Sequence, residues 1–133
     1  MTPIVLYSHA GGNTDNVAAR LSAALTCHRA LMTDQPDLDA FDTIIIVMPI
    51  VGDEELHPAV EDYLLNRMHT WPKRYCICEL GNFLGLKYEG CRKIVEQILN
   101  QAGWQQLSCI SVDSLPKLDS HTLERWIDDL RTL

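Results

Sequence analysis

The run Thr43-Ile44-Ile45-Ile46-Val47-Met48 is apolar at odd and even positions alike. A strand presents its side chains alternately to the two faces of a sheet, so a strand apolar on both must be covered on both. Thr43–Met48 is therefore expected at the centre of a parallel sheet with helices on either side. The apolar run Ile44–Val51, eight residues and the longest in the chain, is too short to span a bilayer as a helix.

The flanking segments alternate in the matching sense. Pro3–Ser8, with its core "IVLY", predicts a first strand. Thr14–Leu25 predicts a helix, because Val17, Ala18, Leu21, Ala24 and Leu25 recur at helical spacing and Asn13 or Thr14 suits its cap. His28–Met32 reads as a weak second strand, followed by the turn-rich "TDQPDLDAFD" with room for one short helical turn. Pro58–Arg67 predicts a helix with proline in its first turn, and Arg74–Cys78 a fourth strand. Tyr88–Gln101 predicts a long helix ended by Gly103, with Cys91, Ile94, Val95, Ile98 and Leu99 inward. Leu107–Val112 predicts a fifth strand, and Asp119–Leu130 a last helix burying Leu123, Trp126, Ile127 and Leu130.

No repeat and no Pro/Gly/Ser-rich linker interrupts the 133 residues, so one domain, 1–133, is expected. Alternating strands and helices imply an α/β fold: a five-stranded parallel sheet, right-handed crossovers and helices on both faces. Such sheets bind ligands beyond the carboxyl ends of their strands. The loops after the first, third and fourth strands are therefore the segments to read for function.

Charge and cysteine usage narrow the classes. The net charge of −7 argues against nucleic acid as a partner. No Lys or Arg lies between Arg29 and Arg67, an interval that holds half of the 18 acidic residues, Asp53, Glu54 and Glu55 among them. That is either a solvated acidic face or a steering surface for a basic partner. The five cysteines are scattered and odd in number, which suits a reducing cytoplasm rather than a disulfide framework. Cys76 and Cys78 face one side of a predicted strand without further ligands at workable spacing, so no metal site is expected. Cys91 is the cysteine best placed for a lowered thiol pKa, at a helix N-terminus. No basic segment followed by a long apolar stretch opens the chain, so neither a signal peptide nor a membrane partner is expected.

The first loop is Ser8-His9-Ala10-Gly11-Gly12-Asn13-Thr14. It lies between a strand and a helix N-terminus, where unpaired amides carry partial positive charge and small residues admit a phosphate. A tight turn with a capped helix and no ligand satisfies the same residues. No lysine follows the glycines and Gly-x-Gly-x-x-Gly is absent, so neither common nucleotide fingerprint is present.

In this context Gly12-Asn13-Thr14, with the small Ala18 four positions on, resembles the flavodoxin family at the length of its short-chain forms. By position, Pro49-Ile50-Val51-Gly52-Asp53-Glu54-Glu55-Leu56 resembles the family's second loop, and Glu79-Leu80-Gly81-Asn82-Phe83 its third, with Tyr88 and Cys91 entering the following helix. The resemblance implies a three-layer α/β sandwich with strand order 2-1-3-4-5. It also implies flavin mononucleotide (FMN) as cofactor, held at its phosphate by the first loop and flanked at its ring by the other two. The implied role is a small electron carrier between a reductase and an acceptor, docking a basic redox partner on its acidic face. Proteins of this type also include activators of ribonucleotide reductase. No residue is then required as a catalytic acid, base or nucleophile.

The sequence departs from the family at identifiable points. Hydroxyls usual in the first loop are replaced by His9, Ala10 and Gly11; Val51 stands where the family has an aromatic ring; and Asn82 stands for the usual aspartate. Phe83 and Tyr88 are both candidates to stack on a ring. The lost hydroxyls and the lost aromatic favour an alternative, a flavodoxin fold without cofactor that serves as a binding or regulatory module.

Overall fold

The computed structural model describes residues 1–51, 55–81, 91–114 and 117–133. Its sheet has Thr43–Val51 (β3) at the centre. Pro3–Tyr7 (β1) and then His28–Leu31 (β2) lie on one side, and Arg74–Gly81 (β5) and then Gln105–Asp113 (β6) on the other. These strands are all parallel. A short strand, Glu55–Leu56 (β4), turns back antiparallel on the end of β3. Counted without it, the parallel strands run in the order 2-1-3-4-5, as expected.

Both faces of β3 are covered. One carries Ile44, Ile46 and Met48 beneath the helices Pro58–Asp62 (α2) and Arg92–Gln101 (α3). The other carries Ile45 and Val47 beneath Gly12–Leu25 (α1) and Ser120–Leu130 (α4). Thr43 to Met48 is fully excluded from solvent. Leu123, Trp126, Ile127 and Leu130 are buried as the spacing predicts, and Trp126 Nε1 donates to Ser108 Oγ at 2.8 Å.

The differences from expectation have local causes. β3 runs on to Val51 because Ile50 and Val51 pair with Leu56 and Glu55. β5 extends to Gly81 because Pro49 and Leu80 stay in register. α1 begins at Gly12 with Gly11 as its cap, so neither Asn13 nor Thr14 caps it. α2 loses α-helical pitch at Tyr63 and continues as a wider π-turn, Tyr63–Arg67, closed by the Met68 amide on the Tyr63 carbonyl. Ile94 is exposed, because Cys91, Val95 and Leu99 define the inward stripe of α3 and Ile94 falls at its rim. The expected start of that helix at Tyr88 lies outside the described residues.

Candidate functional site

At the carboxyl end of β1 the chain turns through Ser8–Gly11 into α1. Gly11 has φ 85° and ψ 162°, a conformation essentially reserved for glycine, and Gly12 has φ 68°. Among the described residues a Cβ at either position would meet nothing within 4 Å, so these residues leave the space above the turn open. The amides of Gly12, Asn13 and Thr14 open α1, where no preceding turn of helix supplies carbonyls. The Gly11 amide, by contrast, is taken: it donates to Asp15 Oδ2 at 2.7 Å. An anion at the loop would draw on the Gly12, Asn13 and Thr14 amides, and would reach the Gly11 amide only by competing with that carboxylate. Thr14 is buried, and Ala10 is exposed.

The structure brings the expected loops together. Asn13 Nδ2 donates to the Ser114 carbonyl at 3.2 Å, and the Ser114 amide donates to the Gly81 carbonyl at 2.9 Å. Gly81 packs on Ile50: a Cβ there would lie 2.9 Å from Ile50 Cδ1. Asn13, Gly81 and Ile50, one residue from each predicted loop, thus form one rim over the ends of β1, β3 and β5. Pro49, Ile50, Val51 and Gly81 are half-buried along it. Gly52, Asn82, Phe83 and Tyr88 lie outside the described residues, as do Asp53 and Glu54.

Glu79 and Leu80 contribute differently from a ligand-facing loop. The Leu80 side chain belongs to the core under α1 and α4. Glu79 has no solvent exposure; its Oε2 accepts from the amides of Cys91 at 3.0 Å and Arg92 at 2.9 Å, and its Oε1 accepts from Ser111 Oγ. Its carboxylate is spent on the N-terminus of α3, whose unpaired amides and dipole it satisfies. Only the backbone of this pair can face a ligand.

Cys91 is not activated by its helix terminus. It is fully buried, and burial, with Glu79 beside it, pushes its thiol up to about 12. All five cysteines are free thiols.

Sequence reasoning missed two participants. Ser114 joins two loops from a position 101 residues from Asn13, a separation no spacing rule reveals. His57 caps α2, its Nδ1 accepting from the Ala59 amide at 3.1 Å, and its ring stacks on His9 with centroids 5.0 Å apart and planes 11° from parallel. The capping pattern His-Pro at a helix start was the one available signal. Ser8 Oγ in turn lies 2.7 Å from His9 Nδ1 and is buried.

Burial, together with the charge of His9, holds the His57 pKa below its ordinary 6.5. The folded protein therefore resists protonating His57 more than the unfolded chain does. This contribution to stability is complete above about pH 6.5 and is lost as pH falls through the lower folded value. Chemical unfolding between pH 7.5 and 5 is expected to show a fall in stability that His57→Asn, which keeps a capping acceptor without a titrating ring, reduces.

No family model matches the sequence. A flavodoxin from Fusobacterium nucleatum bound to FMN superposes with a TM-score of 0.77 at 16% identity, over 99% of this chain and 98% of that one. Flavodoxin 2 from Bacillus cereus gives 0.77 at 21% identity, over 96% and 94%. The chain has a flavodoxin-like fold. The same flavodoxin-like architecture is shared by the Trp repressor binding protein of Bacillus subtilis, at TM-score 0.71 and 14% identity, over 96% of both chains. A curated relative, the cytosolic Fe-S cluster assembly factor NUBP2 homolog of Monosiga brevicollis, is 27% identical over 120 residues. That match covers 85% of this chain and 41% of the relative, so the chain spans less than half the length of the curated protein it matches. Among the described residues no helix is long and apolar enough to cross a membrane.

Proposed function

We propose that this protein is a small FMN-binding electron carrier. The observation that carries the reading is the open turn at Gly11–Gly12, set at the α1 N-terminus and knitted to the second and third loops through Asn13, Ser114, Gly81 and Ile50. A flavodoxin of nearly the same extent and chain path holds FMN. The residues fit the group. The amides of Gly12, Asn13 and Thr14 would receive the phosphate, with no described side chain above the glycines to exclude it. Ile50, Val51 and the Gly81 backbone would border the ring.

When bound, FMN supplies the one- and two-electron chemistry, and the protein sets how readily it accepts electrons. The chain's own part is to bind, orient and shield. Aliphatic Val51 would border the ring without the aromatic stacking that disfavours an electron-rich ring. The exposed acid Glu55 on β4 would disfavour added negative charge on a bound ring and so lower its potential. The acidic surface would steer a basic reductase or acceptor through weak, salt-sensitive contacts.

One observation favours a second reading, a cofactor-free binding module: Asp15 already satisfies the Gly11 amide from within the chain. An absorption spectrum separates the two. After addition of FMN and removal of the excess, the electron-carrier reading expects retained bands in the blue and near-ultraviolet with quenched fluorescence. A colourless protein that leaves the flavin free and fluorescent would favour the module.

A further inference from the structure

We propose that His9 is the cationic partner of a phosphate monoester dianion at the first loop, and that its stacked neighbour His57 is a neutral platform whose tautomer the fold fixes. This inference rests on the reading of the loop as a phosphate site. The two rings lie close and nearly parallel, with centroids 5.0 Å apart. Two imidazolium charges at that separation repel, so at most one ring of the pair holds a proton cheaply.

The hydrogen bonds decide which ring that is. A backbone amide can only donate, so the Ala59 N–H requires His57 Nδ1 to be unprotonated. Neutral His57 therefore carries its hydrogen on Nε2, and protonating Nδ1 would break the cap of α2. His9 is under no such constraint. Its Nδ1 faces Ser8 Oγ, and a hydroxyl donates to a bare ring nitrogen or accepts from a protonated one equally well. His9 can thus gain a proton without losing a bond. The lowered pKa of His57, caused first by burial and then by His9, agrees with this division of roles.

Among the described residues, the titratable groups on the elements that carry the pair or follow it are Tyr7 at the end of β1, Asp15 on α1, Glu55 on β4, and Glu61 and Asp62 on α2. Asp15 is spent on the Gly11 amide, and Asp62 on Asn66 and Arg67. The acids Asp42, Asp62, Glu79, Glu96, Glu124 and Asp128 make their ion pairs with arginines. His9 is half-exposed at the entrance to the loop, in the position where the hydroxyl donors usual in the family are absent. A bound dianion would draw a proton from solvent onto His9, and binding would weaken as that proton is lost.

The test is calorimetric titration of the full chain with FMN, and with riboflavin as the phosphate-free control, at pH 7.0 and 8.5. The second ionisation of a phosphate monoester lies near about pH 6, so the ligand is chiefly a dianion throughout. The expected result is an FMN affinity that falls about tenfold over this range, a riboflavin affinity that does not fall, and proton uptake from buffer with FMN alone. His9→Gln removes the pH dependence, and His57→Asn keeps it. An equal fall for riboflavin, or an unchanged slope in His9→Gln, overturns the proposal. A second readout does not need flavin: nitrogen-15 NMR of the histidine rings with inorganic phosphate at pH 7.0. His9 is expected to shift toward the imidazolium signature while His57 keeps its Nε2–H tautomer. A His9 ring unmoved by phosphate overturns the inference. A His9 ring that responds in a protein that binds no flavin sinks the flavin reading alone.

Discussion

Replacing Glu79 with alanine is expected to destabilise the fold by about 3–5 kcal/mol, among the largest effects of any single substitution in this chain. The carboxylate is fully buried and accepts from the amides of Cys91 and Arg92 and from the Ser111 hydroxyl. Alanine would leave these donors buried without an acceptor and would remove the negative group facing the α3 dipole. Arg92 Nε, 4.0 Å from Oε1 and partly exposed, cannot compensate, since it is itself a donor. Glu79→Gln keeps one carbonyl acceptor and is expected to cost about 1–2 kcal/mol. Urea unfolding of both variants checks the ranking. An alanine variant no less stable than the glutamine variant would show that the α3 terminus draws on other acceptors. Because Gly81 follows two residues later, the alanine variant should also loosen the rim that joins β5 to Ser114 and Ile50.

Truncating Ile46 to alanine is expected to cost about 3–4 kcal/mol. Ile46 stands in register with Leu6 on β1 and Ile77 on β5, and all three are fully buried under α2 and α3. Neighbouring strands on both sides hold the backbone, so the vacated volume cannot close by collapse and the cavity adds to the lost transfer energy. Ile46→Val is expected to cost about 1 kcal/mol. The difference in unfolding midpoint between the two variants, at unchanged denaturant slope, is the measurement. Near-equal midpoints would mean that helix movement fills the space.

How much was legible in the sequence can be judged from particular elements. Thr43–Met48 was recognisable as the central strand because both of its faces are apolar, a property that does not depend on what lies opposite. α4 was legible for a related reason: Leu123, Trp126, Ile127 and Leu130 form a stripe that any covering surface would bury. The ends of elements were less legible. Val51 became strand only because Glu55 turned back to pair with it, and Gly11 rather than Asn13 stands at the cap, its own amide held by Asp15 from inside the helix.

The candidate site divides along the same line. Gly11, Gly12 and the position of their turn between strand and helix could be read locally, since a positive φ is a requirement of one residue. The environments of the neighbouring residues could not. Glu79 looked like part of a ligand loop, but the arrival of α3 turned it inward. His9 is legible only as a residue replacing a first-loop hydroxyl, and it is the fold that stacks His57, from beyond β4, on it. The sequence by itself determined which residues must be buried and where the chain must turn, because hydrophobic periodicity and backbone conformation are properties of short segments. Only the tertiary structure decided which polar groups meet at the carboxyl end of the sheet, because hydrogen bonds and ring contacts there join segments brought together by the order of the strands.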